Sequence, residues 1–318
     1  MWPMIDRNAL RALAIGVVLV ALFSFFFVFP GHDPKPNHVP LGLVGPGAEG
    51  TASALERDGR FEPRRYPDAA AAREAILDRE VYGAVVTGAQ PRLLVATAAS
   101  PQVASILQEA AARVPGGTAP PVEDVRGLDQ DDPRGTTVNL LAIPLSVTSI
   151  LGSMLMFNMA PAMRAPQRIA LLTTFALLGG LIAMLIVRVA IGALPGSFLG
   201  LTLVASLAIA AMAFASAGIM SAIGPPGTML SFLVFLMLAN PASGAASAPE
   251  LLPDPWRGLG QLLPAGAGAT GLRNVAYFDG AALAKPLAVL LVFTAGGALL
   301  LVTTAARTSR SPTRPAPG

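Results

Sequence analysis

Hydrophobic positions along this chain fall into one isolated stretch, Ala9 to Phe29, and a dense block from Val138 to Ala306, with about a hundred more polar residues between them. A run of about 20 apolar residues matches the hydrocarbon thickness of a bilayer. The pattern therefore predicts an α-helical polytopic membrane protein with a separate domain inserted after its first span. That first stretch carries no charge after Arg11 and ends in Phe-Phe-Phe-Val-Phe-Pro without a small-x-small cleavage site. It is also longer than the core of a secretion signal, about 7 to 15 residues, so it reads as a retained helix rather than a cleaved leader.

Inside the block, a second span is predicted from Val138 to Met159, with Pro144 as a kink, and a third from Ile169 to Leu194, closed by Pro195-Gly196. A fourth runs from Phe198 to Ile223 and ends at Gly224-Pro225-Pro226-Gly227. The fifth is weak. Thr228 to Ala239 is about a dozen strongly apolar residues before Asn240-Pro241-Ala242-Ser243-Gly244, and a dozen residues of helix rise only about 18 Å. It is either re-entrant or completed through small residues packed on neighbours. The last span is Leu287 to Ala306.

Basic residues flank these spans: Arg7 and Arg11, then Arg164 and Arg168 after the second, then Arg307, Arg310 and Arg314. Lys and Arg collect on cytoplasmic flanks. The N-terminus, the Arg164 loop and the tail are accordingly expected inside, which parity satisfies only if the fifth segment crosses. The expected architecture is six transmembrane helices, both termini inside, multi-pass in the cell membrane. It divides into a first transmembrane helix (1–30), an extracytoplasmic α/β domain (31–135), a five-helix membrane domain (136–306) with a broken outer segment (240–282), and a cytoplasmic basic tail (307–318).

In the polar interval, Pro30 to Pro40 is a stiff connector. Strands are predicted at Leu41–Val44, Phe61–Tyr66, Gly83–Thr87 and Arg92–Thr97, with Asp68 capping one helix and Ser100-Pro101 opening another. That helix presents Val103, Ile106, Leu107, Ala110 and Val114 on one face. Glu123 to Arg134 is expected to be an acidic, flexible return to the bilayer. Small residues recur in the spans, at Gly152 and Ser153, Gly179 and Gly180, Ser206, Ser216 and Gly218, and Gly296 and Gly297. In lipid such positions let helix backbones approach closely.

Composition narrows the function classes. Of 318 residues 53% are hydrophobic and only 13% charged, with no cysteine, and the mean hydropathy is +0.60. The formal charge of +3 is not arranged as a stripe, so no nucleic-acid partner is expected. Both lysines, Lys35 and Lys285, precede proline, which excludes a P-loop within this chain. The two histidines, His32 and His38, sit in the connector, so neither a zinc helix nor a histidine triad is expected, and no catalytic residue, metal or cofactor is assigned. Gly266, Gly268 and Gly271 match G-x-G-x-x-G, but no strand leads into them and the segment reads as a flexible outer loop.

Arg188 is the one formal charge well inside a span. Intramembrane charge is costly and often functional, yet an arginine near a helix end can snorkel to the headgroups; both readings stay open, with Glu250 and Asp254 as candidate partners. Asn139, Asn158 and Asn240 read as interhelical hydrogen-bonding groups.

The segment before the last span reads Asn240-Pro-Ala-Ser-Gly, Ala248-Pro-Glu-Leu-Leu-Pro-Asp-Pro-Trp256, Leu262-Leu-Pro264, Gly271-Leu-Arg273 and Tyr277-Phe-Asp-Gly280. With the one-plus-five layout, it resembles the ABC type 2 permease superfamily, especially the phage infection protein (Pip) like and nitrosoguanidine-resistance-like branch. The matching elements are Ser243-Gly244, Pro249 to Trp256, Leu263-Pro264 and Leu272-Arg273. The resemblance implies an exporter moving an amphipathic or hydrophobic molecule outward, a homodimer or paired permease in contact with membrane lipid, and a separate ATP-binding subunit at the loop of Arg164 and Arg168. It implies a substrate path or structural role for Arg188, Asn240, Ser243, Gly244 and Arg273. The chain departs from the family in two places: the loop Ala160 to Arg168 contains no acid, and only eight residues precede the first span. A non-transporting receptor or envelope assembly factor acting through the extracytoplasmic domain is the alternative.

Overall fold

The computed structural model describes residues 6–112 and 120–308; Val114, Arg310 and Arg314, on which expectations rested, lie outside them. The chain is mostly helical, with one small sheet. Five helices are long and apolar enough to cross a membrane. They are α1 (Arg7–Val28), α5 (Thr137–Met159), α6 (Ala165–Ala190), α7 (Phe198–Ile223) and the final helix, α11 (Ala284–Thr308). The weak fifth segment is a shorter apolar helix, α8 (Pro226–Ala242), and its 17 residues rise about 25 Å.

The element between α1 and α5 is an α/β domain. Strands β1 (Val39–Val44), β2 (Phe61–Arg65), β3 (Gly83–Val86), β4 (Arg92–Val95) and β5 (Val122–Asp124) form one sheet in the order β2-β1-β3-β4-β5. Helices α2 (Ala48–Asp58) and α3 (Ala69–Leu77) connect β1 to β2 and β2 to β3, and β1 pairs parallel with both strands. The short link to β4 makes that pair antiparallel, and α4 (Pro101–Ala112) returns the chain to β5, parallel to β4. Leu41, Leu43, Ile76, Leu93, Leu94 and Leu107 are buried between sheet and helices. Two predicted caps are in place: the Asp68 carboxylate accepts from Ala71 N at 2.8 Å, and Ser100 Oγ accepts from Val103 N at 3.2 Å.

The segment from Glu123 to Arg134 is not the flexible tether its acids suggested. Glu123 and Asp124 are in β5, where Glu123 pairs with Arg73 and Asp124 accepts from Thr97 Oγ1 at 2.6 Å. Asp132 is buried, and its two oxygens accept from Thr136 N at 2.9 Å and Thr137 N at 3.0 Å. The carboxylate satisfies donors that a helix start leaves without partners, so it anchors α5 to the domain.

In the membrane block α7 is central and mostly buried, whereas the other long helices expose most of their apolar surface. Small residues set its contacts. A Cβ on Gly180 would collide with Ser206, on Gly218 with Gly297, and on Gly297 with the backbone of Phe214. Ser153 Oγ donates to Ala213 O at 2.9 Å, tying α5 to α7. By contrast nothing lies within 4 Å of a Cβ on Gly296, so that glycine is not a contact. α1 has no buried residue and touches the rest through Phe23 on Phe232 and Phe26 on Trp256.

Candidate functional site

The broken segment is ordered, and its sequence explains how. Pro241 lacks the N–H that would continue the ladder, and the turn before it widens to π-helix over Phe232–Leu238. Asn240, 8% exposed, answers the disruption. Its Nδ2 donates to Phe235 O at 3.0 Å and to Ser146 Oγ at 2.9 Å, joining α8 to α5. The chain then turns at Ser243-Gly244. Ser243 Oγ donates to Asn240 O at 2.6 Å and accepts from Ala245 N at 3.1 Å. Gly244 has φ +68°, and a Cβ there would press on Pro249, which is a physical reason for glycine.

Beyond the turn lie α9 (Trp256–Gln261) and α10 (Pro264–Tyr277). The G-x-G-x-x-G match lies in α10, not in a loop. Its glycines serve close packing: a Cβ on Gly266 would strike Gly260 O, and those on Gly268 and Gly271 would crowd Ala208 and Val204 of α7. From α9, Gln261 Nε2 donates to Ser243 O at 2.9 Å and its Oε1 accepts from Thr270 Oγ1 at 2.8 Å. From α10, Arg273 Nη2 donates to Ala245 O at 2.8 Å. Ser243, Gly244 and Arg273 are thus one hydrogen-bonded unit, and Asn240 secures its base.

The sheet domain sits on this unit. Asn37 N donates to Glu250 O at 2.9 Å, and Asn37 Nδ2 to Asp254 Oδ2 at 3.1 Å. Tyr82 Oη donates to Glu250 Oε2 at 2.6 Å, and Arg126 pairs with Asp279 at 3.2 Å. Arg79 Nε donates to Asn274 Oδ1 at 3.1 Å, while its guanidinium lies 4.8 Å from the ring centre of Phe278 and 5.2 Å from that of Tyr82. The backbone aims Arg79 there. At the end of α3, Glu80 N bonds Ala75 O and Arg79 N bonds Ile76 O, a Schellman termination in which Arg79, at φ +66°, occupies the left-handed position usually given to glycine.

Between domain and broken segment lies a cavity of about 500 Å³. Arg64, Arg79, Glu80 and Tyr82 wall it from the domain side, and Glu250, Arg273, Asn274 and Lys285 from the other. Burial in the first place, and Arg79 in the second, lower Arg273 to about 10, which leaves it charged at neutral pH. Burial, reinforced by the Glu250 carboxylate, holds the Tyr82 phenol far above its ordinary range, so it remains a donor. Among the described residues no group of His, Cys, Asp or Glu could hold a metal ion.

The remaining candidates lie elsewhere. Arg188 is half-buried on a π-helical turn at the end of α6, and its suggested partners are engaged with others, Glu250 with Tyr82 and Asp254 with Asn37 and Arg257. Arg164 precedes α6 and bonds Gln167 through its backbone N–H. Arg168 is not a loop charge. It is buried in the first turn of α6, its guanidinium 4.6 Å from the ring centre of Phe157 and donating to Ala160 O at 3.2 Å. The sequence pattern does not mark Arg79, Tyr82 or Asn274; the one local signal is a helix end, Leu77-Asp78-Arg79-Glu80, with no glycine to close it. No protein-family model, curated protein or solved structure matches this chain.

Proposed function

We propose that this chain is a permease of the ABC type 2 exporter kind, moving an amphipathic or hydrophobic molecule outward across the cell membrane as a homodimer or paired permease. The observation that carries the reading is the charged cavity walled jointly by the sheet domain and the broken segment at one end of an apolar helix bundle. Such a vestibule gives a polar headgroup a place outside the bilayer while apolar surface stays beside the helices.

The six-crossing, both-termini-inside arrangement has geometric support. α1 delivers the chain to the end of the bundle that carries the sheet domain, and α7 delivers it to the opposite end, at Gly224. Yet residues 250–279 touch the sheet domain through Glu250, Asp254 and Asp279. On this reading the short helix α8 carries the chain back. Packing on α5 and α1 substitutes for length there, through Asn240 on Ser146 and Phe232 on Phe23. Arg7, Arg11, Arg164 and Arg307 then share one end, as the positive-inside rule asks.

One observation favours the second reading, a receptor or assembly factor. The loop bearing Arg164 has no acid, and Arg168 is folded onto Phe157, so this loop offers an ATP-binding subunit no acidic contact. Proteoliposomes separate the two. Transfer of a fluorescent amphiphile to the outer leaflet above the protein-free rate is the result expected for a permease. Equal rates with and without protein, alongside loss of cellular function on deleting residues 41–134, would establish the receptor reading instead.

A further inference from the structure

The cavity has a chemical bias. Five cations line it, Arg64, Arg79, Arg257, Arg273 and Lys285, against three carboxylates. Arg64 is neutralised by Glu62 at 3.0 Å and Arg257 by Asp254 at 3.5 Å. Glu80 and Glu250 accept from tyrosines, Tyr66 and Tyr82, rather than from cations. Arg79, Arg273 and Lys285 make no ion pair among the described residues. Arg273 is the telling one: 6% exposed, on the cavity wall, with a backbone carbonyl as its hydrogen-bond acceptor. The Glu250 carboxylate acts on Arg273 only through its field, being held by Tyr82, and an oxyanion in the cavity adds the charge-assisted hydrogen bond that offsets the cost of the buried cation.

A second cavity adjoins the first. It is an apolar groove of about 530 Å³ between α6, α7 and the start of α11. Two strips of chain separate them. Lys285 and Pro286 face the charged cavity while Leu283 and Leu287 line the groove, and on α10 Arg273 and Asn274 face the cavity while Val275 lines the groove. Charge on one side and hydrocarbon on the other is the profile of an amphiphile with an acidic head.

From this juxtaposition we infer that the protein binds an anionic amphiphile, its phosphate or carboxylate head held by Arg79, Arg273 and Lys285 and its hydrocarbon chain laid in the groove beside Leu283 and Leu287. The inference deepens the permease reading by naming its substrate class and rests on that reading only for the word substrate; the site itself stands on the two cavities. Lys285, exposed at the divide, is the entry cation.

The test is equilibrium binding of a fluorescent phosphatidic acid to the purified full chain in detergent micelles, with phosphatidylcholine, diacylglycerol and glycerol 3-phosphate as competitors. Arg273→Ala and Lys285→Glu are each expected to weaken binding about tenfold or more, the loss of one charge-assisted hydrogen bond. Lys285→Glu, at an exposed position, serves where Arg273→Ala does not fold, and Leu287→Trp, filling the groove, is expected to weaken the lipid but not glycerol 3-phosphate. Phosphatidylcholine or diacylglycerol competing as well as phosphatidic acid, or binding indifferent to Lys285→Glu, overturns the anionic head. Glycerol 3-phosphate competing as well as the lipid overturns the groove. Tight, Lys285-dependent binding without transfer in proteoliposomes supports the site and removes the permease reading, whereas transfer of other amphiphiles without phosphatidic acid binding does the reverse.

Discussion

Single residues explain why the cavity has its shape and charge. Arg79 in the left-handed position carries a backbone cost of about 1 to 2 kcal/mol that glycine would not. Arg79→Gly is therefore expected to raise the thermal stability of the protein by about 1 kcal/mol relative to Arg79→Ala, while both weaken phosphatidic acid binding. A melting series on the three forms checks it, and an alanine variant as stable as the glycine variant would show that no strain is held there. Asp68 makes a simpler case. Asp68→Ala removes the acceptor for Ala71 N and is expected to cost about 1 kcal/mol, seen as faster hydrogen exchange confined to α3. Of the residues proposed from the sequence, Ser243, Gly244 and Arg273 do form one unit. Arg79, Tyr82 and Asn274 were not legible, because what makes them a site is contact between segments nearly two hundred residues apart, such as Arg79 with Asn274.

Elements follow the balance between hydrophobic length and backbone hydrogen bonding. The long spans were readable to within a few residues, since a run of apolar side chains in a bilayer must be helical. β5 was not, because Val122-Glu123-Asp124 has no apolar alternation, and pairing with β4 plus the bonds of Glu123 and Asp124 make it a strand. α10 is hidden in the sequence for a related reason. Its glycines lower helix propensity, but the same positions allow backbones to close on α7 and α9, and packing wins over propensity. The bundle itself supplies the sharpest prediction. Gly297→Leu drives a side chain into the backbone of Phe214, whereas Gly296→Leu meets open space. The first is expected to abolish monodisperse protein in size-exclusion chromatography and the second to leave it intact. Equivalent behaviour of the two would mean that α7 and α11 do not pack as described.

At the scale of the whole molecule, the sheet domain and residues 243–285 wall one vestibule at one end of the apolar helix bundle, which the proposed six-crossing topology puts outside. Charge counting alone could not decide this, because α8 is short and the segment from α9 to the first turn of α11 carries Arg257, Arg273 and Lys285. The contacts of Asn37, Tyr82 and Arg126 with the broken segment put that segment on the side of the sheet domain and support the proposed topology. That claim is directly testable because the chain has no cysteine of its own. Single cysteines placed at the exposed positions Gln102 in the sheet domain, Asp279 in the broken segment and Ala162 in the loop between α5 and α6 can be labelled in intact cells with a membrane-impermeant maleimide. The account predicts that Gln102→Cys and Asp279→Cys react from outside while Ala162→Cys reacts only after the membrane is opened; Asp279→Cys protected together with Ala162→Cys would contradict it.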